Sequence, residues 1–264
     1  MTREDQPNRF ASAVEPVVAE TRVSTDATGL GAGDIAIPTQ SGTIRGYRAH
    51  PRGAGPFAIV LVVHEIFGLH EHIEDVTRRL AKSGYLAVAP ELFQRQGGVA
   101  KLTTIEAVRA LVASVPDGQV MTDLDASLAW AARNGGDPQR TAVTGFCWGG
   151  RVTWLYAAHQ PLIKAAVAWY GRLVGDATPL TPRFPIDVMS ELKAPVLGLY
   201  GGLDEGIPLA TVEQASAALA RAGGTSHIHV YPEAGHAFYA DYRPSYRHAA
   251  AIDGWQRQLQ RNGV

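Results

Sequence analysis

The sequence predicts an α/β fold: a mostly parallel sheet of about eight strands with helices on both faces. Three observations carry that expectation. Short continuous apolar runs such as Phe57–Val63, "FAIVLVV", are typical of strands covered on both sides. Stretches with apolar residues at helical spacing separate these runs. The two patterns alternate along most of the 264 residues, as crossover connections of a parallel sheet require.

The elements follow in order. Residues 1–33 are polar and have no clear period, which predicts an N-terminal arm lying on the surface. Residues 34–264 read as a single domain, with no linker dividing the core and no internal repeat. "DIAIPTQSGTIRGYRAH" predicts two strands joined at Gln40-Ser41-Gly42. After the loop "PRGAGP", "FAIVLVVHE" is a buried strand. In "GLHEHIEDVTRRLAKSGYLAVAPEL", Ile73, Val76, Leu80 and Ala81 share one helix face, Gly84 stops the helix, and "YLAVAPEL" is the next strand. Helices are expected over about Thr104–Ser114 and Gln119–Arg133, then strand "TAVTG", helix Trp148–Ala158 and strand "AAVAWYG". A Pro-rich loop, Asp176–Pro195, leads to strand "PVLGLYG", helix Leu209–Ala222, strand "SHIHVYPE" and a final helix from about Pro244.

Composition narrows the function classes. Hydrophobic residues make up 46% and charged residues 19%, with a net charge of −1. There is no basic surplus to bind nucleic acid and no acidic run. The single cysteine, Cys147, excludes an intrachain disulfide and a cysteine-based zinc site. The longest apolar run is too short to span a bilayer, and "MTREDQPNRF" has no apolar signal core. The expectation is a cytoplasmic protein with no membrane partner.

Cys147 lies in "TAVTGFCWGG", where Gly145-Phe146-Cys147-Trp148-Gly149 reads G-x-C-x-G between a buried strand and a helix. This is the thiol form of the nucleophile elbow, a turn so tight that side chains on the flanking glycines would collide with the strand and helix. It lifts the side chain to the carboxyl edge of the sheet, above a helix N-terminus that favours thiolate. In such folds the acid and the histidine follow the nucleophile in chain order. Asp204 in "GLDEGIP" and His236 in "AGHAF" each stand just past a strand end. Histidine can take the thiol proton, and aspartate can fix its tautomer. Glu205 is the rival acid; Asp204 is preferred because it comes first after the Gly201-Gly202 turn. Oxyanion donors are expected from the backbone N–H groups of Trp148 and Ile66. Glu65 stands at a buried strand end, as an ion-pair partner or as a carboxylate tuning the thiol. Trp169 and Tyr170 in "VAWYGR" serve the pocket lining or the core.

Together "HEIFGLHEHIEDVTRRLAKSGYLAVAPELF", "GFCWGG", "GLDEGIP" and "AGHAFY" resemble the dienelactone hydrolase (carboxymethylenebutenolidase) family of the α/β-hydrolase superfamily, from about Asp34 to the C-terminus. The resemblance implies an α/β-hydrolase fold, a triad of Cys147, Asp204 and His236, and a Glu65 that contacts the thiol. It implies hydrolysis of a small lactone or ester through an acyl-thioester, with no cofactor. Members that cleave dienelactone hold the substrate carboxylate with two arginines. Arg95 in "FQRQG" matches the first, whereas Ala240 occupies the second position, so that either Arg243 or Arg247 substitutes or the native substrate lacks that carboxylate.

Two other readings compete. A non-catalytic α/β-hydrolase-like binding module would have no need of a complete triad in chain order. A metal site among His64, Glu65, His70, Glu71 and His72, or His227 and His229, lacks the H-E-x-x-H helical spacing. The expected partner is a small-molecule substrate, with the chain a monomer or homodimer and no bound metal.

Overall fold

The computed structural model describes residues 16–263. Eight strands form one sheet in the order β1-β2-β4-β3-β5-β6-β7-β8. They are β1 (Leu30–Thr39), β2 (Gly42–Pro51), β3 (Phe57–Val63), β4 (Leu86–Pro90), β5 (Gly136–Phe146), β6 (Ala165–Trp169), β7 (Val196–Gly201) and β8 (His227–Tyr231). β1 pairs antiparallel with β2, and β2 antiparallel with β4; every later pairing is parallel. The apolar runs sit where their composition demands. β4, β6 and β7 are buried along their whole length, while edge strand β1 alternates buried or half-buried residues with exposed ones.

The helices are α1 (Glu71–Lys82), α2 (Ile105–Ala113), α3 (Asp117–Arg133), α4 (Trp148–His159), α5 (Leu209–Ala222) and α6 (His248–Arg261). α1 buries Ile73, Val76, Leu80 and Ala81, carries Glu71 and Glu74 in its first turn, and ends with Arg79 and Lys82 in its last, as the helix dipole favours. Gly84 follows at φ 99°, turning the chain into β4. α3 and α4 pack together on one face of the sheet. α6 covers β6 on the other, where buried Gln258 accepts hydrogen bonds from Trp169 Nε1 (2.8 Å) and Thr144 Oγ1 (2.7 Å). α2 is held differently: of its nine residues only Val108 is buried.

Three boundaries differ from expectation. β1 begins at Leu30 rather than Asp34, because Leu30–Gly33 pair with Arg48–Pro51. β5 begins at Gly136, with a register shift between Ala58 and Ile59 of its neighbour accommodating the charged stretch before Thr141. α6 starts at His248; the residues before it form turns closed by Tyr246 N–H to Arg243 C=O and Arg247 N–H to Phe238 C=O.

The expected arm lies outside the described residues up to residue 15. From residue 16 onward it runs over the surface toward β1. Val18 N–H donates to Tyr242 C=O (2.8 Å), Thr21 Oγ1 to Asp241 C=O (2.6 Å), and Arg78 Nε to Thr25 C=O (2.7 Å).

Candidate active site

The parallel strands direct their carboxyl ends to one edge, and β5, β7 and β8 each deliver one side chain there. Cys147 follows β5 at φ 55°, ψ −113°, a backbone region that L-residues rarely occupy. The elbow is as tight as the glycines imply. A Cβ on Gly145 would collide with the carbonyl oxygen of Gly149, and one on Gly149 with that of Val63. Cys147 N–H donates to Trp169 C=O (3.0 Å), and Cys147 C=O accepts the first hydrogen bond of α4, from Arg151 N–H (3.2 Å).

His236, on the loop after β8, places Nε2 3.2 Å from Cys147 Sγ and donates from Nδ1 to Asp204 Oδ2 at 2.7 Å. Asp204, after β7, is 5% exposed, and its Oδ1 accepts from the N–H groups of Gly206 (2.9 Å) and Ile207 (3.2 Å). Partial burial alone would push the His236 pKa down. The charge of a Cys147 thiolate and the hydrogen bonds from Asp204 and the sulfur outweigh it, raising the pKa to about 10.

A cleft of about 870 Å³ opens over these three residues. Ile66 and Trp148, the expected oxyanion donors, both line it. Trp148 is the first residue of α4, so its N–H has no helical carbonyl to serve. Tyr170 lines the cleft with its ring edge-on to His236, at 5.3 Å between centroids. Arg243 also lines it, with its guanidinium over the Phe67 ring at 5.4 Å. Glu205 reaches the cleft but makes no hydrogen bond to His236, so the carboxylate chosen by position is the one in contact.

Two expected residues are engaged by other partners. Arg95 is absent from the cleft lining; its guanidinium grips both oxygens of Asp123 on α3 and donates to Thr39 Oγ1 (2.7 Å). The reason is electrostatic: Asp123 is 1% exposed and requires a cation beside it. Glu65 lines the cleft, but its hydrogen bonds go to the Tyr242 hydroxyl (2.6 Å) and toward His70 Nε2 (3.4 Å), while the hydrogen bond of the thiol goes to His236. Burial alone would push the Glu65 carboxyl up. The hydrogen bond and charge of His70, the charge of His72 and the Tyr242 hydroxyl overcome it, giving about 2.

The histidines near Glu65 have protein partners. Buried His64 accepts from Leu92 N–H at Nε2 (3.1 Å) and donates from Nδ1 to Glu65 C=O (2.7 Å). His72 Nδ1 lies 3.2 Å from Asp241, which also binds Arg79. Among the described residues no group of three or more His, Cys, Asp or Glu is arranged to hold a metal ion. No helix among them is long and apolar enough to cross a membrane.

The structure adds cleft residues that sequence reasoning missed. Ile105, Arg109, Val112 and Ala113 form one face of α2 turned to the cleft, and Arg172, Thr181 and Phe184 come from the segment after β6. The spacing of Ile105, Arg109 and Val112 was a readable stripe; its destination was not. Arg109, Arg172 and Arg243 have no carboxylate partner among the described residues, whereas Arg151 is neutralised by a two-pronged pair with Asp117 (2.8 and 2.7 Å).

The family model described as "Dienelactone hydrolase family" matches residues 44–261. A Methylorubrum extorquens protein named "Putative carboxymethylenebutenolidase" is 61% identical over 250 residues, covering 94% of this chain and 86% of that one. A protein of the same name from Escherichia coli O157:H7 is 54% identical, covering 97% and 94%. A Klebsiella pneumoniae crystal structure titled "Putative Dienelactone Hydrolase" superposes with a TM-score of 0.87 at 55% identity, covering 89% of this chain and 98% of that one.

Proposed function

Since the chain belongs to the dienelactone hydrolase family, whose members are lactone and ester hydrolases, we propose that it works through Cys147, His236 and Asp204 by way of an acyl-thioester. The supporting observation is the unbroken relay from Asp204 Oδ2 to His236 (2.7 Å) and from His236 to Cys147 Sγ (3.2 Å) at a strained elbow.

The thiol proton passes to His236 Nε2, and the sulfur attacks the substrate carbonyl carbon. The oxyanion so formed turns toward the N–H groups of Ile66 and Trp148. As the carbon–oxygen bond to the leaving group breaks, that oxygen takes the proton from His236. A water molecule then gives a proton to His236 and attacks the thioester. Collapse of the second tetrahedral intermediate releases the acid, and the departing sulfur recovers its proton from His236. Asp204 holds the imidazole in the tautomer that presents Nε2 to the thiol. Glu65, ionised and hydrogen-bonded by Tyr242, tunes the thiol as a fixed negative charge.

The substrate is a small lactone or ester carrying an anionic group. Arg243, Arg109 and Arg172 supply the positive charge, and Tyr170, Ile105, Val112 and Phe184 supply apolar walls. The test is a panel of lactones and esters of varied charge, with intact-mass detection of an acyl group on the single cysteine. A covalent adduct that builds up with substrate and is absent from Cys147→Ala is the expected result. Full turnover by Cys147→Ala would overturn the mechanism.

A further inference from the structure

His64, the first residue after β3, is wholly buried and absent from the cleft lining. Its two ring nitrogens meet opposite demands. Nε2 faces Leu92 N–H at 3.1 Å, a group that can only donate, and Nδ1 faces Glu65 C=O at 2.7 Å, a group that can only accept. One state of the ring serves both: neutral, with its proton on Nδ1. Burial favours the same state, pushing the pKa below the ordinary histidine value. An apolar ring would fill this space without the cost of burying two polar atoms.

The Nδ1 bond bears on the next residue. Glu65 C=O and Ile66 N–H belong to one planar trans peptide unit and point in opposite directions. Whatever holds the carbonyl therefore aims the N–H. Besides His64, the carbonyl has only a longer bond from Gly68 N–H (3.3 Å) among the described residues. Ile66 lines the cleft, and its N–H donates to no acceptor among them.

His64 also braces the second expected donor. Its ring lies at 16° to that of Trp148, 5.7 Å between centroids, and Phe93 stands edge-on to both, at 4.6 and 4.7 Å. The backbones meet as well: a Cβ on Gly149 would lie 2.6 Å from His64 C=O.

We propose that His64 is the positioning residue of the oxyanion hole: its Nδ1–H holds the Glu65–Ile66 peptide so that Ile66 N–H faces the reacting carbonyl oxygen, while its ring braces Trp148. This rests on the triad reading above. His64 touches no substrate and moves no proton. It keeps the Ile66 peptide from turning over while the substrate oxygen is neutral, so that both donors are set before charge develops.

The test compares two reactions of Cys147 in the full chain. Acylation by p-nitrophenyl acetate passes through an oxyanion; alkylation by iodoacetamide, a displacement of iodide at a saturated carbon, does not. His64→Phe keeps a ring beside Trp148 and removes the donor. It is expected to slow acylation roughly ten- to hundredfold and to change alkylation less than about threefold. His64→Asn returns an N–H donor near the place of Nδ1 and is expected to acylate about fivefold faster than His64→Phe. A ring that merely fills the core would slow both reactions alike or leave both unchanged. Either result overturns the proposal, as does an Asn variant no faster than the Phe variant. Should His64→Phe fail to fold, the parent is treated with acetaldehyde, which adds to Cys147 as a hemithioacetal, and the His64 Nδ1–H proton is followed by NMR. A hydrogen bond from Ile66 N–H to the new oxygen polarises the shared peptide and strengthens the bond at its carbonyl. The signal is expected to move downfield, and an unmoved signal overturns the proposal. A parent that is alkylated at Cys147 but acylated by no ester sinks the acyl-thioester mechanism and this proposal with it, whereas acylation that His64→Phe leaves unchanged sinks only the role of His64.

Discussion

The carboxylate of Asp204 reaches His236 Nδ1 at 2.7 Å across 32 residues of chain, and its second oxygen is fixed by two backbone N–H groups. This acid cannot swing away from the imidazole without giving up those bonds. Glu205, its neighbour, has no comparable anchor.

The two carboxylates therefore predict different losses. Asp204→Asn should lower kcat on the order of 10⁴-fold, the cost of a misplaced imidazole tautomer in serine triads. Glu205→Gln should change kcat less than about threefold, as expected of a side chain that contacts neither the base nor the nucleophile. Steady-state kinetics on one substrate decides the matter, and the reverse ranking would reassign the acid.

The raised pKa of His236 predicts a pH signature. The folded protein holds this proton up to about pH 10, against an ordinary value of 6.5. Its contribution to stability is complete below pH 6.5 and is lost as pH rises through about 10. Melting temperatures taken between these limits should fall more steeply for the parent than for His236→Gln. Cys147→Ala should flatten the curve too, because it removes the thiolate charge that holds the proton. Parallel curves for all three proteins would contradict the coupling.

Arg95 and Arg172 should part company. Arg95→Ala leaves Asp123 buried without its cation, and loss of about 2 kcal/mol of stability is expected, discounted for the partial exposure of the arginine. Chemical denaturation measures it, and the KM ratio between anionic and neutral esters should stay unchanged. Arg172→Ala should do the opposite, leaving stability within about 0.5 kcal/mol and raising KM for an anionic ester roughly tenfold more than for a neutral one of equal size. Equal effects on both substrates would remove Arg172 from recognition.

Replacement of Gly145 tests the elbow itself. Gly145→Ala forces a methyl group against the Gly149 carbonyl, where backbone lines both sides and cannot yield. We expect a loss of several kcal/mol, or no folded protein. A soluble variant with parental melting temperature would mean that the turn is looser than described.

What could be read in the chain was what is local. Glycines bracket Cys147, and strand ends precede Asp204 and His236, so chain order and turn chemistry sufficed to bring the three together. The failures share a cause. The resemblance places Arg95 at the substrate, but its partner lies on α3, 28 residues away, and no period in the sequence says which way a long side chain points. Glu65 sits 177 residues from Tyr242, the hydroxyl that occupies it. The start of β5 is masked because "GDPQR" pairs with β3 ahead of a register shift, against its own composition. Distant pairings of this kind are set by the packing of whole layers, not by neighbours in sequence.

The division of labour around the cleft has a consequence for how such an enzyme changes over time. The three side chains of the proposed triad follow the ends of β5, β7 and β8, and backbone crowds the elbow glycines so closely that neither Gly145 nor Gly149 has room for a side chain. Much of the opposing wall comes from α2, whose one fully buried residue is Val108, and from the segment that follows β6. Substitutions there leave the chemistry untouched while rewriting what is admitted to it. A lineage can explore new acyl groups by trial on α2 without first surrendering the old reaction. Laboratory selection for altered substrates should accordingly accumulate its changes at Ile105, Arg109 and Val112 before it reaches any residue of the elbow.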